Sequence, residues 1–316
     1  MRLEDVRRIT VVGAGIMGRG IAQTFAAAGY DVKLNDLSSD ILAAASDRVK
    51  TNLGTLTEYG FVQPGEVAGI LARIRTTTDL ADAVRDADVV IEAIVEDFES
   101  KRLLFNRLDS LCPDRTILAS NSSSLLISEF AAETKRQDRV ILTHWFNPPH
   151  IVPTVEIIPG HMTSPETYEL IYELHRKVGK LAIRIRKEIP GYLVNRIQMA
   201  MLREVWWLWE QEIASAEDID LAVKGSFGFR LASIGPLLTN DLGGNDTNYR
   251  VSRYLLPLIN NSTEPPEAFR RMVEDGRYGQ KTGQGFFAHS TEEWNSIIEK
   301  RDKEFLERLK SLYSIQ

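Results

Sequence analysis

A glycine triplet near the N-terminus, Gly13-x-Gly15-x-x-Gly18, has the spacing that cradles a dinucleotide pyrophosphate. It follows the apolar run 9–12 and opens a predicted helix over 16–28. Gly13 permits a tight turn, Gly15 lets a phosphate approach the backbone, and Gly18 lets the helix lie close to the strand. The helix would present free N–H groups and the positive end of its dipole to the phosphates.

An acid, Asp36, follows the second predicted strand, 31–35, at about the 20-residue spacing of a carboxylate that binds the adenosine ribose. The carboxylate would repel a 2′-phosphate, and Leu37, Ser38 and Ser39 supply no cation to offset it. We therefore predict NAD rather than NADP. A glycine turn in an α/β protein without a ligand is the alternative, but strand, triplet, helix, strand and acid all occur in register.

A cofactor that transfers hydride needs a proton acceptor and polar groups for a carbonyl oxygen nearby. His144 lies near the end of the predicted strand 139–146, at the sheet edge where such folds place ligands, and histidine exchanges protons near neutral pH. Glu156, on the next predicted strand, is the nearest acid in sequence, and it would fix the histidine tautomer and stabilise the imidazolium. From the residues alone, a histidine at the end of a strand is more often a structural residue than a general base.

Two further polar groups have both a functional and a structural interpretation. The segment 121–124, Asn-Ser-Ser-Ser, follows a predicted strand and offers hydroxyls to a substrate oxygen. It could instead cap the predicted helix 127–133, since Ser and Asn favour that position. Asn195 begins the first helix after the domain junction and could reach a cleft, or it could form a surface or interhelical hydrogen bond.

The elements that would position these residues alternate between strand and helix as far as residue 187, which predicts an α/β fold with a Rossmann-type, doubly wound parallel sheet. After Pro190-Gly191 the pattern is helical with almost no strand signal. We therefore predict an NAD-binding Rossmann domain over 1–187 and a helical substrate and dimerisation domain over 188–316. The three tryptophans within 206–209 cannot share one helix face, which favours an interface there.

The bulk composition excludes several other functions. The net charge of −6 gives no basic footprint for nucleic acid, and the five histidines lack the spacing of a metal site. No apolar run approaches the roughly 20 residues of a membrane span, and the charged N-terminus has no signal core. We therefore expect no metal and no membrane partner. The single cysteine, Cys112, excludes an intrachain disulfide and is compatible with a cytoplasmic location.

Six segments together resemble the L-3-hydroxyacyl-CoA dehydrogenase family. They are GAGIMGRGIAQ, VVIEAIVEDFESK, LASNSSSL, THWFNPPHIVPTVEII, PGYLVNRI and GQKTGQGFF, and they run in order through nearly the whole chain. The resemblance implies a Rossmann domain, a helical domain that forms a homodimer, NAD, and reversible oxidation of a 3-hydroxyl to a 3-ketone, as in fatty acid metabolism.

Residue by residue, the resemblance places the general base on His144 and its orienting acid on Glu156. Ser123 would bind the substrate oxygen, Asn195 would assist it, and Asn147 would line the same cleft. Asp36 would hold the adenosine ribose, while Glu96 and Lys101 would lie near the nicotinamide half. The cofactor contacts expected in total are Gly13, Gly15, Ile16, Met17, Gly18, Asp36, Glu96, Lys101 and Ser123.

The substrate has two interpretations. Members that act on acyl-CoA carry a lysine pair before the glycine that ends the helix after Asp36, whereas this chain has Glu58-Tyr59-Gly60, and a carboxylate there should repel a polyanion. The segment HWFNPPHIVPTVEII resembles a branch acting on small free hydroxy acids, with lambda-crystallin-like gulonate dehydrogenases and dehydrogenases of a pyridine carboxylate from vitamin B6 breakdown. We place 3-hydroxyacyl-CoA oxidation first and the free acid second. A crystallin-like protein that binds NAD without catalysis is a third, minor alternative.

Overall fold

The computed structural model describes residues 1–314, which fall into two compact units. The first unit runs from Met1 to Asn195 and includes the described residues from Asp302 onward, and the second unit is Arg196–Arg301. The boundary predicted after residue 187 precedes the start of the second unit. The return of the C-terminal segment to the first unit has no counterpart in the sequence pattern.

The first unit is built on a sheet with strand order β3-β2-β1-β4-β5-β6-β7-β8. The strands are β1 (Arg8–Val12), β2 (Asp31–Asn35), β3 (Ile74–Thr77), β4 (Val89–Glu92), β5 (Ile117–Ser120), β6 (Val140–Trp145), β7 (Thr154–Pro159) and β8 (Leu181–Arg184). Neighbouring strands are parallel, except that β6 and β7 are antiparallel. The order reverses between β1 and β4, which is the switch point where doubly wound folds bind ligands.

Helices connect the strands and then form the second unit. They are α1 (Ile16–Ala27), α2 (Ser39–Glu58), α3 (Val67–Ala72), α4 (Leu80–Val84), α5 (Phe98–Leu111), α6 (Ile127–Phe130), α7 (Pro165–Lys177), α8 (Val194–Glu210), α9 (Ala216–Gly225), α10 (Phe227–Leu231), α11 (Pro236–Gly243), α12 (Asn245–Leu255), α13 (Glu267–Glu274) and α14 (Thr291–Ser314). None of the helices within residues 1–314 combines the length and apolar character that a membrane span requires.

Both faces of the sheet are buried, because apolar residues point alternately to either side of the central strands. On β1, Ile9 and Val11 belong to one core cluster and Val12 to the other. Leu306 of α14 is fully buried in the first cluster, so the C-terminal helix contributes to this core. The fold predicted from the alternating pattern, an α/β sheet covered on both faces, is confirmed.

The antiparallel pair of β6 and β7 is the one departure from a wholly parallel sheet. The connection 146–153 is shorter than the dozen or more residues that a parallel crossover needs, so the chain turns back beside its own strand. The turn contains a cis peptide bond between Asn147 and Pro148. This arrangement places His144 and Glu156 opposite each other in the ladder.

The helical pattern expected after Pro190-Gly191 begins at Val194, since Gly191 and Tyr192 both have positive φ values, of 74° and 51°. Further along, α11 and α12 are separated at Gly244, whose φ of 87° favours glycine and ends a helix.

Within the second unit, aromatic rings stack between helices. Trp206 of α8 stacks on Phe269 of α13 at 4.6 Å between ring centroids, and Phe269 lies 5.5 Å from Phe286. Trp209 meets Phe286 edge-on at 4.9 Å. Two of the three tryptophans of α8 therefore pack inside this unit.

Candidate active site

The glycine triplet forms the turn between β1 and α1, and the space around each of the three glycines differs. Gly13 has a φ of 102°, and a Cβ there would lie 2.4 Å from the carbonyl oxygen of Ala93. A Cβ at Gly18 would lie 1.7 Å from the carbonyl oxygen of Gly13. A Cβ at Gly15 would meet no heavy atom of the described chain within 4 Å, apart from its own neighbours. Gly13 and Gly18 thus permit the close approach of neighbouring backbone atoms in the turn, while Gly15 leaves the N-terminus of α1 open to a ligand.

Asp36 follows β2 and is joined to the glycine turn. Its Oδ2 accepts a hydrogen bond from the Ala14 N–H at 2.8 Å, and its Oδ1 accepts one from the Ser38 N–H at 3.3 Å. The carboxylate is therefore held beside the turn in which Gly15 lies. This is the geometry expected of an acid that binds the ribose of a dinucleotide whose pyrophosphate lies on α1.

Exposed apolar side chains surround this edge of the sheet. Ile16 begins α1, Leu37 follows Asp36 with 92% of its surface exposed, and Val95 follows β4. Met17 packs partly against the core. Large apolar side chains exposed beside an open helix N-terminus suit the flat faces of a nucleotide, so the residues present fit a dinucleotide cofactor.

His144 and Glu156 form a buried ionisable pair at this edge. Nδ1 of His144 lies 2.7 Å from Oε2 of Glu156, and the side chains are 3% and 0% exposed. The other carboxylate oxygen, Oε1, accepts hydrogen bonds from the N–H groups of Leu193, at 3.1 Å, and Val194, at 2.8 Å. Because both oxygens of Glu156 accept, the histidine donates through Nδ1, which leaves Nε2 as a proton acceptor.

Two aromatic residues that the sequence analysis did not single out pack on His144. The ring of Phe146 lies 4.5 Å away, and the ring of Tyr192 lies 5.3 Å away, edge-on. The Tyr192 hydroxyl donates to the carbonyl oxygen of Leu125 at 2.7 Å, and burial raises the pKa of this phenol. The available signal was the position of Tyr192 directly after Pro190-Gly191, where the chain turns before α8.

Glu96 holds the serine loop after β5. Its Oε1 accepts from the Ser122 hydroxyl at 2.7 Å, from the Ser123 N–H at 2.8 Å, and from the N–H and hydroxyl of Ser124 at 2.9 and 3.1 Å. Burial acts to raise the pKa of the Glu96 carboxyl, but these hydrogen bonds and the charge of Lys101 lower it below its usual value. The loop is therefore organised by an acid from the neighbouring β4–α5 connection.

Lys101 lies behind Glu96 and is 1% exposed. Its ammonium lies 2.6 Å from Oε1 of Glu92 and 3.3 Å from Oε2 of Glu96. Glu92 is fully buried, and its Oε2 also accepts from the Ser120 hydroxyl at 2.5 Å. Two acids from the β4 region thus share one buried cation, and Lys101 is connected to the surface of the site through Glu96.

Asn195 is brought to the serine loop, since its Nδ2 donates to the carbonyl oxygen of Ser123 at 2.9 Å. Asn147 is exposed and follows Phe146 in the turn after β6.

Asp36 is well separated from His144, because β2 and β6 are four strand spacings apart, roughly 19 Å. A ligand that contacts both Asp36 and the His144 region must be long, as a dinucleotide is.

Comparison with known proteins decides the family. The sequence model of the 3-hydroxyacyl-CoA dehydrogenase NAD-binding domain matches residues 8–189, and that of the C-terminal domain of the same enzymes matches residues 191–289. The chain belongs to the 3-hydroxyacyl-CoA dehydrogenase family. The predictions of the family, the Rossmann-type fold and the NAD cofactor are thereby confirmed.

Two relatives show the range of the family. Human mitochondrial hydroxyacyl-coenzyme A dehydrogenase is 37% identical over 291 residues, which cover 90% of this chain and 91% of the relative. The 5-formyl-3-hydroxy-2-methylpyridine 4-carboxylate 5-dehydrogenase of Mesorhizobium japonicum is 32% identical over 305 residues, which cover 95% of this chain and 96% of the relative. The chain is thus an NAD-dependent dehydrogenase with relatives in both substrate branches.

Solved structures from both substrate branches also match this chain. A crystal structure of the pyridine carboxylate 5-dehydrogenase, described as an NAD⁺-dependent dismutase, matches with a TM-score of 0.90 at 31% identity and covers 95% of this chain and 96% of its own. The (S)-3-hydroxybutyryl-CoA dehydrogenase of Ralstonia eutropha matches with a TM-score of 0.75 at 34% identity and covers 90% of this chain and 100% of its own.

Proposed function

We propose that this dehydrogenase reversibly oxidises a 3-hydroxyl group to a 3-ketone, with His144 as the general base. The observation that carries the proposal is the buried contact of 2.7 Å between Nδ1 of His144 and Oε2 of Glu156. Because Nδ1 faces the acid, Nε2 of the histidine is directed away from Glu156. His144 takes the hydroxyl proton through Nε2, and Glu156 stabilises the imidazolium that forms.

Ser123 and Asn195 bind the substrate oxygen in this mechanism. The backbone N–H of Ser123 is held by Glu96 and its carbonyl by Asn195, so the residue is fixed on both sides and its hydroxyl can point to the oxygen. Asn147 contributes a further polar contact from the turn after β6. When bound, NAD accepts the hydride from the carbinol carbon. The residues proposed to hold NAD are Gly13, Gly15, Ile16, Met17, Gly18, Asp36, Glu96, Lys101 and Ser123.

The prevalent activity of the family makes a 3-hydroxyacyl-CoA ester the first candidate substrate. A small free hydroxy acid or pyridine carboxylate is the second candidate, favoured by the TM-score of 0.90 to the pyridine carboxylate dehydrogenase. The end of α2 supports the second candidate. Glu58 is exposed there, and its carboxylate would repel the phosphates of coenzyme A.

The test is a comparison of substrates followed by NADH fluorescence, with acetoacetyl-CoA and then a panel of free hydroxy acids and pyridine carboxylates. We expect turnover with one class and a loss of at least about 10²-fold in His144→Gln, with almost unchanged NAD affinity. Near-normal turnover in His144→Gln would refute the role of His144 as the general base. NAD binding without turnover of any substrate would instead support a crystallin-like role.

We also propose that the chain forms a homodimer through its second unit and acts in the cytoplasm. Within the single chain, several large apolar side chains of α10, α11, α12 and the segment after α12 are exposed; they are Phe229, Leu237, Leu242, Tyr254, Leu256 and Leu258. Apolar surface of this extent favours a second copy of the same chain as its partner. Sedimentation at micromolar concentration should give twice the chain mass of 35.6 kDa, and a monomer would contradict the proposal.

A further inference from the structure

The turn after β6, residues 147–153, is held from inside by a buried lysine. The ammonium of Lys180 donates to the carbonyl oxygen of Pro149 at 2.6 Å and to that of Val152 at 2.9 Å. It also lies 5.1 Å from the centre of the Trp145 ring, on the strand that leads into the turn. Both ends of the turn are thus attached to a single cation.

The surroundings of Lys180 are unusual for a charged group. It is 7% exposed, and among residues 1–314 no carboxylate lies within ion-pair distance of its ammonium. The titratable group that acts on it is His175 from α7, while β6 presents the ring of Trp145. Burial lowers the pKa of Lys180 to about 7. Two carbonyl oxygens and an aromatic face therefore replace the usual acid partner.

The opposite side of the turn lies against the cofactor helix α1. A Cβ at Gly20 would lie 2.5 Å from Cγ of Pro149 and 3.5 Å from Nδ1 of His150. The proline ring therefore occupies the space that a side chain of α1 would need. Since α1 also carries the glycine turn at its N-terminus, the segment that bears Asn147 is fixed between Lys180 and the helix that faces the cofactor.

We propose that Lys180 is a positioning residue for the substrate: it holds the turn 147–153 against Trp145 and α1, and thereby sets where Asn147 meets the oxidisable substrate. The inference rests on the proposed function, because it takes this turn as part of the substrate site. It predicts that loss of Lys180 weakens substrate binding more than hydride transfer or NAD binding.

The direct test replaces Lys180 by methionine, which has similar length and no charge. We expect the substrate KM to rise about tenfold, with kcat and the dissociation constant of NADH within about twofold, because two carbonyl oxygens lose a charged donor. Lys177→Met is the matched control, since Lys177 is an exposed lysine over the ring of Tyr30 at 5.7 Å. An unchanged KM in Lys180→Met, or equal losses in KM, kcat and NADH binding, would overturn the proposal.

A second variant covers the case in which Lys180→Met fails to fold. Gly20→Ala leaves Lys180 intact but forces Pro149 to move, because the added methyl group would overlap the proline ring. We expect the same selective rise in substrate KM. A normal KM in a folded Gly20→Ala enzyme would count against the role of the turn.

Tryptophan emission gives a readout that does not depend on turnover. An ammonium over an indole ring alters its emission, so the wild type should show a transition between pH 5 and 10 that Lys180→Met lacks and Lys177→Met retains. Identical pH titrations of the tryptophan emission in wild type and Lys180→Met would refute the contact between the Lys180 ammonium and the Trp145 ring. If the wild type oxidises no substrate, the proposed function fails, while this titration still decides whether Lys180 holds the turn at Trp145.

Discussion

His144 and Glu156 are paired directly across the antiparallel ladder of β6 and β7, and their side chains meet at 2.7 Å with almost no exposure to solvent. The contact is fixed by the register of two strands. The N–H groups of Leu193 and Val194, at the start of α8, donate hydrogen bonds to the second carboxylate oxygen of Glu156. The acid is therefore held by β6 on one side and by the first turn of α8 on the other.

We expect Glu156→Gln to lower kcat by roughly 10²–10⁴-fold, because an amide cannot stabilise the imidazolium and can invert the histidine tautomer. The amide oxygen still accepts from Leu193 and Val194, so the melting temperature should change little. Single-turnover formation of NADH measures the effect, with Glu166→Gln on the exposed start of α7 as the control. A kcat within tenfold of the wild type would show that Glu156 has a structural role only.

The sequence pattern predicted the local elements of this site well, because glycine spacing and apolar runs are local signals. Gly13, Gly15 and Gly18 occupy the turn that their spacing predicts, and Asp36 lies beside it. The direction of β7 was not predicted, since a buried strand has the same composition in a parallel or an antiparallel pair. The short connection 146–153 was the available signal, and it also explains why His144 and Glu156 are opposite each other.

The partners of the charged residues were less predictable. The family resemblance implies that Glu96 and Lys101 lie near the nicotinamide half, but it does not show that Glu96 accepts from three serines or that Lys101 is buried beside Glu92. These contacts join the connections after β4 and β5, which only the strand order brings together. The same holds for Tyr192, whose ring reaches His144 because the chain turns at Gly191.

Glu96→Ala should loosen the serine loop, because the donors of Ser122, Ser123 and Ser124 lose their common acceptor. We expect kcat/KM to fall by about 10–100-fold and NADH to bind more weakly, while Lys101 remains paired with Glu92 and the fold is retained. Steady-state kinetics and NADH fluorescence titration measure the two effects. Glu99→Ala, which removes an exposed acid of α5, is the control, and equal behaviour of both variants would contradict the role of Glu96.

Asp36→Asn should change the choice of cofactor. The amide oxygen still accepts from the Ala14 N–H, so the glycine turn is retained, but the negative charge that repels a 2′-phosphate is lost. We expect the ratio of kcat/KM for NADP to that for NAD to rise at least about tenfold. The control is Asp40→Asn in the exposed first turn of α2, and an unchanged ratio in Asp36→Asn would mean that another residue selects the cofactor.

His175 should make the stability of the first unit depend on pH. It is completely buried among the rings of Phe25 and Trp145, and burial lowers its pKa from the usual 6.5 to about 4. Between these two values the unfolded chain binds a proton that the folded chain excludes, so stability decreases as the pH falls from about 6.5 to 4.

His175→Phe removes this titration, since phenylalanine is neutral at every pH and can retain the edge-on contacts with Phe25 and Trp145. Urea unfolding at several pH values should therefore show that the free energy of unfolding falls more steeply in the wild type than in the variant between pH 6.5 and 4. The difference in slope corresponds to the uptake of up to about one proton on unfolding. His161→Phe, at an exposed histidine, should follow the wild type. Parallel curves for wild type and His175→Phe would mean that His175 is protonated in the folded protein over this range.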